Sequence, residues 1–426
     1  MNQKRILNMI SKQLLFFGIF VLVVEYYSFV AIRTVLRPAN GSLHFGIYAI
    51  YVILLLLTLW SLYAFPHFGR SSWPSISLKY FVNIFIGVFI GKVLIAAILL
   101  LTDILMAIPN LVSFFYSFKN HPVGNPPEGS RFISRITFIS QTALLIGGAL
   151  TAGLVYGMRN RYRYKLTHVK LSLKDLPDEF KGLRIIQISD IHSGSFDDPD
   201  AVKEGIDAIM NEKPDLILFT GDLVNDRAKE VVPYIEVFNK LKAPMGVFSV
   251  LGNHDYGDYF RWPSEEEKKL NLEQLKQHHA EMGWRLLVNE HVILERNQKQ
   301  IALIGIENWG TRGFTKYGDM KKAVAGLENS NVPVKILLSH DPSHWEAEVR
   351  KDYRDIALTL SGHTHGMQFG IDIPGFKWSP VQYVYKQWAG LYQEENQYLY
   401  VNRGFGFIGY QGRLGVLPEI TMIELG

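Results

Sequence analysis

The 426-residue chain contains no cysteine, and acidic residues are scarce in its first 158 positions. The absence of thiols excludes a disulfide framework, a thiolate zinc site and a cysteine nucleophile. Residues 1–158 hold 3 of the 40 Asp and Glu residues but 11 of the 44 Lys and Arg residues, so they carry a net charge of +8 and the remainder carries −4. This difference in composition excludes a single uniform soluble domain.

The first part contains four apolar runs of about 20 residues, the length that crosses a ~30 Å hydrocarbon core. The runs lack the polar face of a water-soluble helix. They therefore predict an all-α region of four transmembrane helices, at Leu14–Ile32, Gly46–Phe65, Tyr80–Ile108 and Ile136–Gly157. The polar loop Lys119–Arg131 is predicted to lie outside the lipid.

The distribution of cations predicts which side of the membrane carries the C-terminal part. With four spans, nine Lys and Arg residues flank one side and five flank the other, which favours a cytoplasmic C-terminal part. A fifth short span within Leu111–Phe118 would invert this orientation. The pI of 8.8 arises from these flanks and gives no argument for a nucleic-acid partner.

Three ionisable residues, Glu25, Lys92 and Asp103, fall inside the predicted spans. Ionisable groups at this depth are candidates for functional sites. Because three groups are few for a transport pathway, we expect them to pair with one another or to extend to the interface.

From about residue 166 the sequence alternates between short apolar runs and helical stretches with charged faces. The apolar runs predict buried strands at Leu183–Ser189, Asp215–Thr220, Gly246–Leu251, Lys335–Ser339 and Ile356–Leu360. Helices are predicted at Asp200–Lys213, Ala228–Leu241, Glu265–Met282 and Met320–Asn329. This order predicts a mostly parallel α/β sheet. The predicted parts are the transmembrane region 1–158, a basic linker with a first strand at 159–180, and an α/β domain at 181–426.

Each predicted strand is followed by a polar turn, in the order SDIH, TGDLVND, GNHD, SHD and SGHTH. Ligands of open α/β sheets bind beyond the carboxyl ends of the strands, so we expect these turns to converge. Their candidate metal ligands are Asp190, His192, Asp222, Asn253, His340, His363 and His365.

Carboxylate, amide and imidazole groups without sulfur suit divalent Mn, Fe or Zn. Seven ligands exceed what one catalytic metal can use, whereas two metals bridged by one carboxylate would use all seven. Such a pair implies hydrolysis in which a bridging hydroxide attacks phosphorus.

Residues beside these ligands have expected roles of their own. Gly221, Gly252 and Gly362 precede ligands, where a sharp turn requires a residue without a Cβ. His254 is a candidate to stabilise or protonate the leaving oxygen. Asp255 is expected to orient His254 by accepting its other N–H.

The ordered motifs D-x-H (190–192), G-D (221–222), G-N-H-D (252–255), the single His340 and G-H-x-H (362–365) resemble the calcineurin-like metallophosphoesterases. The resemblance covers about residues 165–426 and is greatest to the membrane-associated bacterial branch. It implies that Asp190, His192 and His365 bind one metal and that Asn253, His340 and His363 bind the other. It also implies that Asp222 bridges the two ions and that His254 acts on the scissile phosphate.

The fold implied by the resemblance is a four-layer αββα sandwich. Tyr398–Phe407 and Glu419–Leu425 would supply antiparallel strands of its second sheet. Met367 stands where relatives often have a second glycine, a difference that bears on pocket shape.

Several further residues have two candidate roles or an expected location. Arg403 and Arg413 could bind phosphate as rigid forks, or form salt bridges. Asn225 could touch substrate, or serve a turn or helix cap. His344 is expected on a helix surface, and His278 and His279 are expected to be solvated.

These features predict a membrane-anchored binuclear-metal phosphohydrolase of the bacterial inner membrane that cleaves a phosphodiester or pyrophosphate bond. The anchor favours an amphipathic substrate such as a phospholipid or UDP-diacylglucosamine. The alternatives are a phosphomonoesterase or protein phosphatase, and a transporter or receptor with a regulatory metallophosphoesterase-like module. The sequence indicates no specific protein partner.

Overall fold

The computed structural model describes the backbone of residues 3–37, 41–68, 75–117, 135–311, 313–327, 330 and 332–426. Within these ranges, the side chains of residues 3–14, 66–68 and 109–117 are not described. The predicted loop Lys119–Arg131 lies outside the described residues. The chain divides into two compact units, Met1–His67 with Ser77–Val155 and Phe68–Ile76 with Tyr156–Gly426.

The first unit consists of long apolar helices: α1 (Gln3–Leu36), α2 (Gly41–Phe68), α3 (Ile76–Ser117) and α4 (Arg135–Gly157). Among the described residues, four segments are long and apolar enough to cross a membrane: Leu15–Leu36, Gly41–Phe65, Ile76–Ile108 and Arg135–Asn160. The prediction of four transmembrane helices is confirmed. Residues 111–117 continue α3 and form no separate helix.

The three ionisable residues predicted inside the spans, Glu25, Lys92 and Asp103, have partners. Lys92 Nζ lies 2.9 Å from both carboxylate oxygens of Glu25, and Tyr51 Oη donates to Glu25 Oε2 at 2.6 Å. Tyr27 Oη donates to Asp103 at 2.8 Å. These contacts compensate part of the cost of placing charge in an apolar surrounding, as expected for paired intramembrane groups.

The second unit contains fourteen strands among its described residues. They are β1 (Lys165–Leu171), β2 (Arg184–Ile188), β3 (Leu216–Phe219), β4 (Val247–Ser249), β5 (Arg285–Leu286), β6 (Glu290–Arg296), β7 (Lys299–Gly305), β8 (Lys335–Leu338), β9 (Ile356–Ser361), β10 (Ile371–Ile373), β11 (Phe376–Trp378), β12 (Gly390–Glu394), β13 (Gln397–Val401) and β14 (Glu419–Leu425). The helices are α5 (Pro199–Asn211), α6 (Ile235–Phe238), α7 (Glu265–Glu281), α8 (Met320–Ala323) and α9 (Arg350–Asp352).

Twelve strands form two six-stranded sheets, with the orders β1-β14-β2-β3-β4-β5 and β12-β13-β9-β8-β7-β6. Strands β2 to β5 are parallel in the first sheet, as are β7, β8, β9 and β13 in the second. The remaining two strands, β10 and β11, pair with each other as a separate hairpin.

Alternating side chains of the strands place each sheet between two apolar layers. Ile185 of β2 packs in a core shared with Leu303 and Ile336 of the second sheet. The next residue, Ile186, packs with Ile206 of α5 on the opposite face. The second sheet has its own outer core, which contains Trp345. The order helix, sheet, sheet, helix confirms the predicted four-layer αββα sandwich.

Of two strand assignments made from the sequence, one is wrong and the other is confirmed in part. Glu419–Leu425 lies in the first sheet, where β14 is antiparallel to β2 but parallel to β1. Tyr398–Phe407 supplies β13 to the second sheet, as predicted, where it is antiparallel to β12 but parallel to β9. Both strands are buried on two faces, so their apolar pattern cannot specify which neighbours they pair with.

Two predicted helices are shorter than their sequence pattern suggests. Within Ala228–Leu241, two 3₁₀ turns precede α6, and Pro233 stands in the second turn, where its ring prevents a regular α-helix. Within Met320–Asn329, the helix ends at Ala323, and residues 328 and 329 lie outside the described part.

The expectation that His279 is solvated is wrong, because α7 turns this ring into the core against Trp284. Its Nδ1 lies 2.9 Å from Ser249 Oγ. Burial, and then the neighbouring His278, lowers the pKa of His279 from 6.5 to about 3. His278 lies on the helix surface, 2.7 Å from Glu281.

The buried His279 predicts acid-sensitive stability. Its pKa is lowered in the folded state, so between pH 6.5 and about 3 the unfolded chain binds the extra proton. The free energy of unfolding should therefore fall by up to ~1.4 kcal/mol per pH unit as the pH drops through this window. In urea denaturation of the full-length protein in detergent, His279→Gln should flatten this slope, whereas His278→Gln should not. Equal slopes in both variants would contradict the assignment.

Candidate metal centre

The five predicted turns meet where the carboxyl ends of the central strands of both sheets come together. Strands β2, β3 and β4 of the first sheet lead to Asp190, Asp222 and Asn253. Strands β8 and β9 of the second lead to His340 and His363. The site is therefore built from both sheets, whereas the sequence suggested convergence within a single sheet.

Asp190, His192 and His365 form a first group, whose ligand atoms all lie within 4.8 Å of one another. The Nε2 atoms of the two histidines are 3.0 Å apart, and His365 Nε2 is 3.2 Å from Asp190 Oδ1. All three side chains are buried. Two imidazole nitrogens that face each other beside a carboxylate form a pocket of donor atoms suited to a cation.

Asp222, His340 and His363 form a second group within the same 4.8 Å limit. Asn253 Oδ1 completes it, at 2.8 Å from His363 Nδ1 and 3.2 Å from His340 Nε2. Tyr259 Oη accepts from Asn253 Nδ2 at 3.0 Å, which turns the amide oxygen toward the histidines.

The carboxylate of Asp222 lies between the two groups. Its Oδ2 is 3.1 Å from His340 Nε2 in the second group and 3.5 Å from His192 Nε2 in the first. The backbone N–H of His363 also donates to Asp190. The structure thus brings together all seven predicted ligands and places Asp222 where a bridging ligand would stand.

Backbone strain accompanies this convergence. Asp190, His192, Asp222, His363 and His365 all have positive φ, between 48° and 71°. Non-glycine residues rarely adopt this conformation, which costs on the order of 1–3 kcal/mol each and is concentrated at functional sites. The surrounding packing must therefore stabilise these turns.

Two glycines permit the close approach of the turns. A Cβ on Gly252 would collide with Asp222, and one on Gly362 would collide with Ser189 and Asp190. The expectation that these positions require glycine agrees with the structure.

The charge states suit metal binding. Burial by itself would raise the pKa of Asp222. The imidazoles of His340, His254 and His192 have the larger, opposite effect and hold this pKa well below its usual value. Burial lowers the pKa of His192 and His363, so both are neutral. Burial also lowers the pKa of His340, but Asp222 overcomes this and raises it to about 10. Ionised carboxylates and neutral imidazoles are the forms that bind metals, and a cation would displace the His340 proton.

Two residues that support the ligands were not identified from the sequence. His363 Nε2 lies 2.8 Å from Tyr385 Oη, which donates to Asp341 Oδ2 at 3.3 Å. This chain of contacts turns Nδ1 of His363 toward the metal-binding groups. Asp341 follows His340 directly, so the SHD motif gave a signal for it. Tyr385 lies 20 residues after His365 and gave none.

The predicted role of Asp255 is wrong. Its carboxylate accepts from the backbone N–H groups of Asp222, Leu223, Val224 and Gly252, and so shapes the turn that carries Asp222. His254 Nδ1 instead donates to the carbonyl oxygen of Asn225 at 2.7 Å. The side chain of Asn225 is buried and contacts Ser195, so it does not face a substrate.

The two candidate phosphate-binding arginines are buried and bind other groups. Arg403 forms salt bridges with Glu419 and Asp372, which is the second of the two roles predicted for it. Arg413 donates to the carbonyl oxygens of His365, Arg403, Gly404 and Gly406. One of its nitrogens lies 3.1 Å from His365 Nδ1, so Arg413 contacts a predicted metal ligand. His344 is buried against Ser339, contrary to the expected helix surface.

Two family models match the chain. The model described as calcineurin-like phosphoesterase matches residues 183–367. The model described as probable calcineurin-like phosphoesterase, transmembrane domain, matches residues 9–161. The first match contains all seven converging ligands, and the second contains most of the helical unit.

Three relatives illustrate the similarity. A Danio rerio protein named transmembrane protein with metallophosphoesterase domain is 30% identical over 66% of this chain, which spans 62% of that protein's length. Phosphodiesterase YaeI of Escherichia coli is 30% identical over 69% of this chain and 99% of its own length. UDP-2,3-diacylglucosamine pyrophosphatase LpxG of Chlamydia trachomatis is 29% identical over 69% of this chain and 98% of its own length.

The contact between Tyr385 and His363 predicts a selective loss of metal affinity. Tyr385→Phe keeps the ring but removes the hydroxyl that holds His363, so the affinity of the second group for its ion should fall by about 10- to 100-fold. The affinity is measured by competition of Mn against a chromogenic chelator. The control is Tyr383→Phe, because Tyr383 is 77% exposed. Unchanged affinity in Tyr385→Phe would contradict the positioning role.

Proposed function

Because the chain belongs to the calcineurin-like metallophosphoesterase family, we propose that it is a membrane-anchored binuclear-metal phosphohydrolase that cleaves a phosphodiester or pyrophosphate bond. One observation carries this proposal. Two buried groups of ligands, each able to hold a cation, share the carboxylate of Asp222. A pair of adjacent metals is the arrangement used for in-line displacement at phosphorus.

Each proposed ligand has a place in this arrangement. Asp190, His192 and His365 would hold one ion, and Asn253, His340 and His363 the other, with Asp222 between them. When bound, two divalent ions supply an activated water and neutralise the phosphate charge. The nitrogen and oxygen donors suit Mn, Fe or Zn.

His254 is the proposed proton donor or electrostatic stabiliser at the leaving oxygen. Its ring lies 4.9 Å from that of His192, beside the first group, and is partly exposed. Because Nδ1 donates to the carbonyl oxygen of Asn225, Nε2 is the nitrogen that can hold and transfer a proton. Asn225 therefore contributes its backbone oxygen, not its side chain.

We propose an amphipathic substrate, a phospholipid or a nucleotide-linked lipid. Two observations support this class. The chain carries four apolar helices that can span a membrane, so its metal centre is tethered to a bilayer. In addition, one relative at 29% identity is named a UDP-2,3-diacylglucosamine pyrophosphatase.

We also propose that the metal centre faces the cytoplasm of a bacterial cell. Nine Lys and Arg residues flank the side of the spans that carries the second unit, against five on the other side. Cytoplasmic flanks carry the excess of such residues in membrane proteins.

The proposed chemistry predicts hydrolysis of bis-p-nitrophenyl phosphate by the full-length protein with Mn. Asp222→Ala should abolish activity because both ions lose a ligand. His254→Ala should lower kcat by about 10²- to 10⁴-fold and leave metal content unchanged, as expected for a general acid. His278→Ala, a histidine on the helix surface, is the control. Full activity in both site variants would refute the assignment, and faster cleavage of the monoester would favour a phosphomonoesterase.

The substrate proposal predicts a preference for lipid-linked diesters or pyrophosphates presented in liposomes. In parallel assays of the full-length protein, kcat/KM should be higher for these than for soluble nucleotide diesters. A preference for the soluble compounds would refute the lipid proposal and leave the chemistry intact. Metal binding without hydrolysis of any phosphoester would favour a regulatory module.

A further inference from the structure

The β10–β11 hairpin has one apolar and one polar face. Its antiparallel register pairs Ile371 with Trp378 and Ile373 with Phe376, and Asp372 with Lys377 between them. Because successive side chains of a strand point to opposite faces, the two apolar pairs share one face and the charged pair lies on the other.

The apolar face of this hairpin points outward. Ile371, Ile373 and Phe376 are 43%, 56% and 53% exposed. Antiparallel strands with one solvated face normally place the apolar side chains inward and the polar ones outward. The hairpin reverses that arrangement.

Contacts of the polar face hold this orientation. The Asp372 carboxylate lies 3.2 Å from Arg403 Nη2 and 3.2 Å from Lys165 Nζ, and the side chains of Asp372 and Arg403 are almost fully buried. Turning the hairpin over would break the buried ion pair and leave Arg403 with one carboxylate partner fewer. A two-stranded ribbon is marginal by itself, so these contacts are what fix its outward face.

The hairpin is bound to a residue that closely follows the membrane anchor. The fourth membrane-spanning segment ends at Asn160, five residues before Lys165. Five residues extend at most ~18 Å. The pairing of Lys165 with Asp372 therefore keeps the hairpin within a short distance of the chain's exit from the membrane.

The hairpin also adjoins the metal centre in the chain. It lies between His365 of the first group and Tyr385, which holds His363 of the second group. Two more exposed side chains flank it, Met367 at 59% and Tyr383 at 77%. Met367 has a φ of 56°, a conformation in which glycine would be unstrained, yet an apolar side chain is presented to solvent there.

We propose that the outward face of the β10–β11 hairpin docks on the bilayer that the chain's own helices span. Ile371, Ile373 and Phe376 enter the boundary between headgroups and acyl chains, where interfacial apolar side chains lie. Trp378 and Tyr383 stand at headgroup level, as amphipathic aromatic rings do. Docking holds the His363–His365 turn against the membrane surface, and its consequence for catalysis rests on the proposed phosphohydrolase function.

Because the chain contains no cysteine, a fluorophore can be attached at a single introduced cysteine. An environment-sensitive fluorophore is attached to Ile373→Cys, and for comparison to Lys299→Cys, an exposed position on the β6–β7 hairpin. In liposomes containing the full-length protein, the dye at 373 should emit at shorter wavelength. Lipids with a quencher near the headgroup should quench it about twofold more strongly than the dye at 299, since interfacial side chains lie ~5–10 Å into the lipid. Equal quenching at both positions would overturn the proposal.

Dilution of the protein in lipid distinguishes docking on lipid from coverage of this face by a second copy of the chain. A shift at 373 that disappears at low protein-to-lipid ratio, without lipid quenching, would show that a second copy covers the hairpin. That result would also overturn docking on lipid. Persistence of lipid quenching at high dilution supports it.

An activity test connects docking with catalysis. The double variant Ile373→Ser, Phe376→Ser should hydrolyse soluble bis-p-nitrophenyl phosphate like the wild type. Its turnover of a lipid-linked diester in liposomes should fall by on the order of tenfold, as lost apolar contact with lipid would predict. The matched control is Ile293→Ser. It removes an isoleucine of β6 that is 39% exposed, and it should leave turnover of the lipid-linked diester unchanged.

The outcomes distinguish the two proposals. Unchanged turnover of the lipid-linked diester in the double variant would overturn a role for docking in catalysis. If the wild type cleaves no phosphoester, the proposed function fails, and the quenching comparison still decides whether the hairpin docks.

Discussion

The packing of two sheets face to face is the constraint on which the metal centre depends. Asp190, Asp222 and Asn253 follow strands of one sheet, whereas His340 and His363 follow strands of the other. Neither sheet alone carries a complete second group. The shared apolar core, in which Ile185 meets Leu303 and Ile336, fixes the separation at which these turns meet around Asp222.

That packing also maintains conformations and charges that would be unfavourable in isolation. Five ligand residues have positive φ, and buried carboxylates lie beside buried imidazoles. The contacts that hold them form a second layer of buried groups. Asp255 binds four backbone N–H groups around the Asp222 turn, Tyr385 and Asp341 hold His363, and Arg413 binds the carbonyl oxygens of the loops around His365. Rigid support of this kind keeps ligands arranged for cations without reorganisation.

The same buried groups connect the metal centre to the first residues of the second unit. Arg413 contacts His365 through its side chain, and its backbone N–H donates to the carbonyl oxygen of Gly157, the last residue of α4, at 2.9 Å. Arg403 pairs with Asp372, which also binds Lys165 soon after the fourth span. Within the second unit, the two buried arginines thus bind the segment that begins it, at Gly157 and Lys165, and the β10–β11 hairpin.

The sequence by itself determined the four spans, the strand ends, the seven residues that converge beyond them and the family. Each of these depends on local information: the length of an apolar run, or short motifs at strand ends. Only the tertiary structure decided that β14 joins the first sheet, because a strand buried on both faces carries no pattern that specifies its partner.

Tertiary contacts likewise decided the roles of Asp255, Arg403 and Arg413. A charged side chain has the same sequence signature whether it meets a substrate, a backbone amide or another charge. The orientation of the β10–β11 hairpin could not be predicted from the sequence for a related reason. Alternation of apolar and charged residues divides a hairpin into two faces, but which face points outward depends on where Asp372 finds Arg403 and Lys165.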